Sequence, residues 1–269
     1  MRAHRTLIIS VVVALALALP AGAMAKRLII GGSTSVLPLA QKLASAYHKA
    51  YPHIPAPQVQ GGQSDIGISG AAEGRFDIGD SSRDPLPTDP KGLVFTKIAR
   101  DGVCIITNKD NPLANLSEAT VQEIFTGNLR DWSQIPGSTI SGPIDLFDRD
   151  GASGTQDAFQ HIFLGEEKRV SPSATAEASN GLEQSSVAAD KQAIGFVSFA
   201  YTAGVHPVPY NGVTCNLRNA KSGQYAGVRN FWMVTRGRPK GEALKFISWV
   251  TSGNKVTKQI ISSSWIAIH

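Results

Sequence analysis

The sequence is short of the residues that most catalytic chemistries need. After the first 25 residues the histidines are His48, His53, His161, His206 and His269, with no H-x-x-E-H or H-x-H spacing, and the two cysteines, Cys104 and Cys215, form no C-x-x-C pair. Neither set has the spacing of a metal site, so no metal or other cofactor is expected. The serine-nucleophile elbow is missing as well, because Thr155, not glycine, stands two residues after Ser153. No P-loop pattern with its terminal Lys-Ser/Thr occurs. Charge is sparse: removing Arg2 and Arg5 leaves 24 basic residues against 21 acidic, a net of +3. Without a Lys/Arg block or an aromatic-basic ladder, that balance excludes nucleic acid as a partner while mildly favouring anions. Fixed-period repeats and low-complexity tracts are absent too.

One long apolar run is present, Leu7 to Leu19, behind Arg2 and Arg5 and followed by Pro20 and the small-residue exit Ala23-Met24-Ala25. This reads as a secretory signal peptide over 1–25, too short and wrongly flanked for an anchor. No cysteine follows the cleavage site, so lipidation is not expected and the mature chain should be soluble and periplasmic. In that oxidising setting Cys104 and Cys215 either form a disulfide, worth roughly 4–5 kcal/mol in the chain-entropy account for so long a loop, or stay as two buried thiols that act as small hydrophobes.

Strand and helix patterns alternate along the remainder, which argues an α/β fold. Four times a short strand runs into a turn rich in glycine, hydroxyls or both. Leu28-Ile29-Ile30 meets Gly31-Gly32-Ser33-Thr34-Ser35 before a helix from about Leu37 to Ala50, with Leu39, Leu43, Ala46 and Ala50 as its stripe. Gln58-Val59-Gln60 meets Gly61-Gly62-Gln63-Ser64, and Phe76-Asp77-Ile78-Gly79 meets Asp80-Ser81-Ser82-Arg83. Ile144-Asp145-Leu146-Phe147 meets Asp148-Arg149-Asp150-Gly151-Ala152-Ser153-Gly154-Thr155, ahead of a helix with Phe159 and Phe163 on one face. Glycine allows a sharp turn and close backbone approach, and a helix start presents unpaired N–H groups and a positive dipole end. With hydroxyls and the guanidinium of Arg149 added, such turns are parts of an oxyanion clamp. Asn180-Gly181-Leu182-Glu183 reads as a capping-box helix start, and Val228 to Thr235 as an apolar strand.

These four turns, in this order, resemble the phosphate-binding proteins that feed phosphate ABC importers. Supporting stretches are Asp101-Gly102-Val103-Cys104-Ile105-Ile106, Val121-Gln122-Glu123-Ile124-Phe125-Thr126-Gly127 with Trp132, and Ala193-Ile194-Gly195-Phe196-Val197. The resemblance implies a two-lobed periplasmic binding-protein fold, type II-like, with a hinge of crossing strands near Val103 to Thr107 and Tyr201 to Val205. The first lobe would be discontinuous, residues 26–107 and 202–269, and the second 108–201. It implies a monomeric, non-catalytic protein that binds inorganic phosphate and serves a membrane ABC permease. Carried over by position, Thr34, Ser35, Ser64 and Ser82 would bind from one lobe, and Arg149, Ser153, Gly154 and Thr155 from the other. Some relatives have aspartate where Ser82 stands, accepting a proton from the anion; here Asp150 is the first candidate for that role and Asp80 the second. An acceptor of that kind implies preference for phosphate over sulfate by more than about tenfold. The alternatives are another tetrahedral oxyanion (sulfate, molybdate or arsenate), a secreted phosphatase, or a structural or adhesive role.

Overall fold

The computed structural model describes residues 26–268, so the expected signal peptide lies outside the described residues. The first part of the chain alternates as expected: β1 (Ile29–Ser33), α1 (Leu37–Ala50), β2 (Gln58–Gly62), α2 (Ser64–Glu73) and β3 (Ile78–Ser81). Pro38 sits in the first turn of α1, where no backbone N–H is needed. The buried face of α1 is Leu39, Ala40, Leu43, Ala44 and Tyr47, not the expected stripe through Ala46 and Ala50, because Tyr47 turns that face toward Phe246 and Trp249.

A 16-residue strand, β4 (Leu93–Asn108), follows and dominates the architecture. Residues 93–102 pair with β9 (Val228–Arg236), and residues 103–107 pair with β7 (Ala193–Ser198). β4 thereby joins two half-sheets, and the strand order is β2-β1-β3-β9-β4-β7, continuing to β5 (Asp145–Arg149) and β6 (Thr175–Glu177). β1 runs parallel to β2 and β3, β9 runs antiparallel between β3 and β4, and β5 is parallel to both β6 and β7. A short strand, β8 (Val205–Pro207), pairs with the end of β4. α3 (Glu118–Phe125), α4 (Gly154–Phe159), α5 (Asn180–Ala189) and α6 (Leu217–Lys221) belong to the second half, and α7 (Gly241–Thr251) and α8 (Lys255–Ser264) close the chain.

Two large apolar cores follow from this division, with a small third cluster of Ile68, Ala71 and Val234 beside the first. The first gathers Ile30, Leu39, Leu43, Tyr47, Ile78, Phe231, Phe246 and Trp265; the second gathers Val103 to Ile106 with Phe125, Trp132, Phe159, Phe163 and Phe196. Phe159 stacks on Phe196 with centroids 3.9 Å apart, which anchors α4 and the turn before it. After Phe159 the helix widens into one π-turn over residues 160–164, and this keeps Phe163 stacked on Phe159.

Two expectations are corrected here. Val205, Val208, Tyr210, Cys215, Ala220 and Tyr225 pack in the second core, although everything after residue 202 was assigned to the first lobe. A disulfide between Cys104 and Cys215 fastens that segment, and the Val208 N–H donates to the Ile105 carbonyl at 2.9 Å. The return crossing therefore lies near residues 226–229 rather than 201–205. There the Val103 N–H donates to the Gly227 carbonyl at 2.8 Å, and the Tyr225 hydroxyl donates to the Val103 carbonyl at 2.7 Å.

A candidate anion site between the two halves

Parallel strands β1, β2, β3 and β5 all present their carboxyl ends to the line where the halves meet. Helices α1, α2 and α4 begin at three of those ends, so their N-terminal dipoles converge on one place. The turn hydroxyls interlock there. The Ser33 hydroxyl donates to Ser82 Oγ at 2.8 Å, and the Ser82 N–H donates to Ser64 Oγ at 3.0 Å. Ser35 Oγ and Thr155 Oγ1 share a hydrogen bond of 2.9 Å across the two halves. Ser153 is the N-cap of α4, its Oγ accepting from the Thr155 and Gln156 N–H groups. Ser35, Ser64, Ser82, Ser153 and Thr155 are buried, and Thr34 is half-buried.

Gly154 is the point of closest approach. A Cβ there would lie 2.3 Å from Ser64 Oγ, 2.8 Å from Ser82 Oγ and 2.9 Å from the Arg83 backbone nitrogen, so only glycine lets the halves close. Gly151, expected to matter in the same way, has open space around it. The Asp65 N–H donating to the Ala152 carbonyl at 3.2 Å, and Gln63 Nε2 donating to Asp150, complete the seam.

Arg149 ends β5 with its side chain buried. Its Nε donates to the Glu177 carbonyl at 2.7 Å and one Nη to the Ala178 carbonyl at 3.2 Å, while the other, Nη1, has no protein partner. Behind it Glu183 lies 3.8 Å away, with Oε1 accepting from the Phe196 N–H. Burial pushes the Glu183 carboxyl up to about 8, with Arg149 pulling the other way. A neutral Glu183 near pH 7 leaves the positive charge of Arg149 uncompensated. The folded carboxyl thus titrates above its ordinary value of 4.5, and its contribution to stability is present below that value and lost as pH rises toward 8. Glu183→Gln is expected to flatten the fall of unfolding free energy over that window, read from urea denaturation at several pH values. An unchanged slope would show that Glu183 is not the group responsible.

Sequence reasoning missed two members of the cluster. Arg229, at the start of β9, is buried and bound to Asp101 Oδ2 through Nε at 3.2 Å and Nη2 at 3.0 Å. The same Nη2 reaches Ser35 Oγ at 2.8 Å, and Nη1 donates to the Gly154 carbonyl at 3.1 Å. Asn180 is not the cap of α5. Ser179 is, its Oγ accepting from the Leu182 N–H, which frees the Asn180 amide to donate to Thr34 Oγ1 at 3.0 Å and Ser35 Oγ at 2.9 Å. The Tyr201 hydroxyl adds a bond to the Thr34 carbonyl at 2.8 Å.

The proton-acceptor candidates fare differently. Asp150 Oδ1 accepts from the Ala152 N–H at 3.1 Å and its Oδ2 accepts from Gln63, so the carboxylate holds its own turn and the seam. Asp80 is fully buried, with Oδ1 unpartnered, and burial raises it well above the usual carboxylate range with no nearby cation to offset the effect. Burial, with help from Asp150, pushes Asp148 up to about 6. A cleft of about 350 Å³ lined by Ser82, Asp157, His161, Arg229 and Asn230 opens beside the cluster. Among the described residues, no three His, Cys, Asp or Glu come together to hold a metal ion, and no helix is long and apolar enough to cross a membrane.

Comparison with known proteins is consistent with this geometry. Residues 20–254 match the PBP superfamily domain. The chain is 28% identical over 240 residues to the phosphate-binding protein of Bacillus subtilis strain 168, covering 87% of this chain and 78% of that one. It is 38% identical over 110 residues to a phosphate-binding protein of Streptococcus agalactiae serotype V, a match that spans 40% of this chain and only 37% of that relative's length. Among solved structures, a putative phosphate ABC transporter substrate-binding protein with bound phosphate from Clostridium perfringens superposes with a TM-score of 0.84 at 29% identity, covering 91% of this chain and all of that one.

Proposed function

The chain belongs to the PBP superfamily, and on that premise we propose that it captures inorganic phosphate between two lobes for delivery to a membrane ABC permease. The observation that carries this reading is the buried convergence of three helix starts, a ring of hydroxyls and Arg149, whose Nη1 has no protein partner. A tetrahedral oxyanion offers acceptors to all of these donors at once, and buried charge-assisted bonds of this kind are the strong ones. The first lobe comprises residues 26–101 with 229–268, and the second lies between them, the boundary following the two cores. The protein acts as an exported monomer.

Binding without turnover fits the chemistry of the cluster. The hydroxyls are bonded to one another and to backbone N–H groups, with no histidine among them to take a proton from a serine. Calorimetric titration of the purified protein with phosphate is expected to give one saturable site, and incubation with a chromogenic phosphate ester, with or without divalent metal, no product. Absent heat on phosphate addition would sink the reading, and metal-dependent release of product would replace binder with phosphatase.

A further inference from the structure

Arg149 is a buried cation at this site. A second buried guanidinium, Arg229, touches both binding turns and one crossing strand together. It faces Ser35 at the start of α1 and Gly154 at the start of α4, and its ion pair joins β9 to β4 at Asp101, its register partner. Those two residues stand where the chain crosses between the halves, next to the bond between Val103 and Gly227. Asp101 is completely buried and its Oδ1 has no hydrogen-bond partner. Phe231 lies under the guanidinium, whose carbon is 5.6 Å from the ring centroid.

A purely structural ion pair would need neither contact with the binding turns. Arg229 is instead placed with its Nη atoms on a hydroxyl from one half and a carbonyl from the other, both of which belong to residues that line the anion site. Its five donors in a fixed fork exceed what Asp101, Ser35 and Gly154 take up. We propose that Arg229 is a second cationic ligand of the anion, and that its pairing with Asp101 across the crossing strands ties anion capture to closure of the lobes. The inference rests on the oxyanion-binding reading above and deepens it. Two arginines set into a ring of hydroxyls favour the doubly charged form of the anion. Asp101 is ion-paired with Arg229, the Glu183 carboxyl stands behind Arg149, and Asp157 also lies near Arg229.

The test uses two variants. Asp101→Asn/Arg229→Gln removes both charges together, so no buried charge is left unpaired and the fold is retained. Arg229→Lys keeps the cation but not the fork. Each is titrated with phosphate and, separately, with sulfate, and small-angle scattering is recorded with and without anion. The double variant, with its thermal midpoint checked, is expected to lose at least about thirtyfold in affinity for whichever anion the wild type binds, and to remain extended at anion concentrations that close the wild type. Arg229→Lys should recover a large part of the lost affinity. Binding by the double variant within threefold of wild type overturns the proposal. So does equal loss in the double variant and in Arg229→Lys, which would mean that shape rather than charge is at stake. If the wild type binds sulfate but not phosphate, the phosphate reading fails while the role of Arg229 is still decided by the sulfate arm.

Discussion

Arg149→Ala is expected to weaken phosphate binding by at least about thirtyfold, more than the loss of any one hydroxyl. Removing one partner from a buried, hydrogen-bonded charge contact typically costs 2–5 kcal/mol, against about 1 kcal/mol for a neutral hydrogen bond. The side chain is held from behind by the Glu177 and Ala178 carbonyls, so its orientation is set before the anion arrives. The fold should tolerate the change, because Glu183 is already pushed toward its neutral form by burial. Calorimetry on Arg149→Ala beside Ser153→Ala decides it. Equal losses would show that Arg149 does not contact the anion, and that its buried guanidinium serves only to fasten β5 to the segment around Ala178.

Gly154→Ala is expected to be nearly as damaging by a different route. The added methyl would lie 2.3 Å from Ser64 Oγ and 2.9 Å from the Arg83 nitrogen. Ser64 has little room to turn aside while it accepts from the Ser82 N–H, and the Arg83 atom is backbone. Overpacking of this kind costs about 1–3 kcal/mol, roughly five- to 150-fold in affinity. Neither apolar core is touched, so the thermal midpoint without anion should stay close to wild type. In small-angle scattering, the radius of gyration at moderate phosphate should stay at its anion-free value while that of the wild type falls. A variant that closes and binds normally would mean that the seam has more slack than these distances allow.

The four polar turns at strand ends were legible in the sequence because each is a local signal, a short strand running into glycine or hydroxyl residues, and three of them open a helix. In the folded chain Ser35 bonds Thr155, Ser82 bonds Ser64, and Gly154 lies against Ser64 and Ser82. Arg229 and Asn180 left no such trace. Each is a single polar residue whose partner lies more than a hundred residues away in the chain: Asp101 for Arg229, Thr34 for Asn180. One clue was available, since Arg229 alternates with Phe231 and Met233 on a buried face of β9. A cation in that register must find a counter-charge, because burying it alone is too costly. The misassigned cap at α5 has a related cause. Ser179 and Asn180 both carry good capping side chains, and tertiary contact with Thr34, not local propensity, decides which one caps.

The place of β9 also bears on how the protein is made. β9 fills the slot between β3 and β4 in the first half-sheet, yet it is the last strand in the chain. β3 and β4 are not neighbours in the folded sheet, and the strand that joins them is synthesised only after the whole second lobe. Pairings this distant in sequence are slow to form. The second lobe has its own core and disulfide to consolidate early, but the first must wait with its central strands unsatisfied. The half that holds the first strand of the chain, β1, is therefore the half whose sheet is completed last.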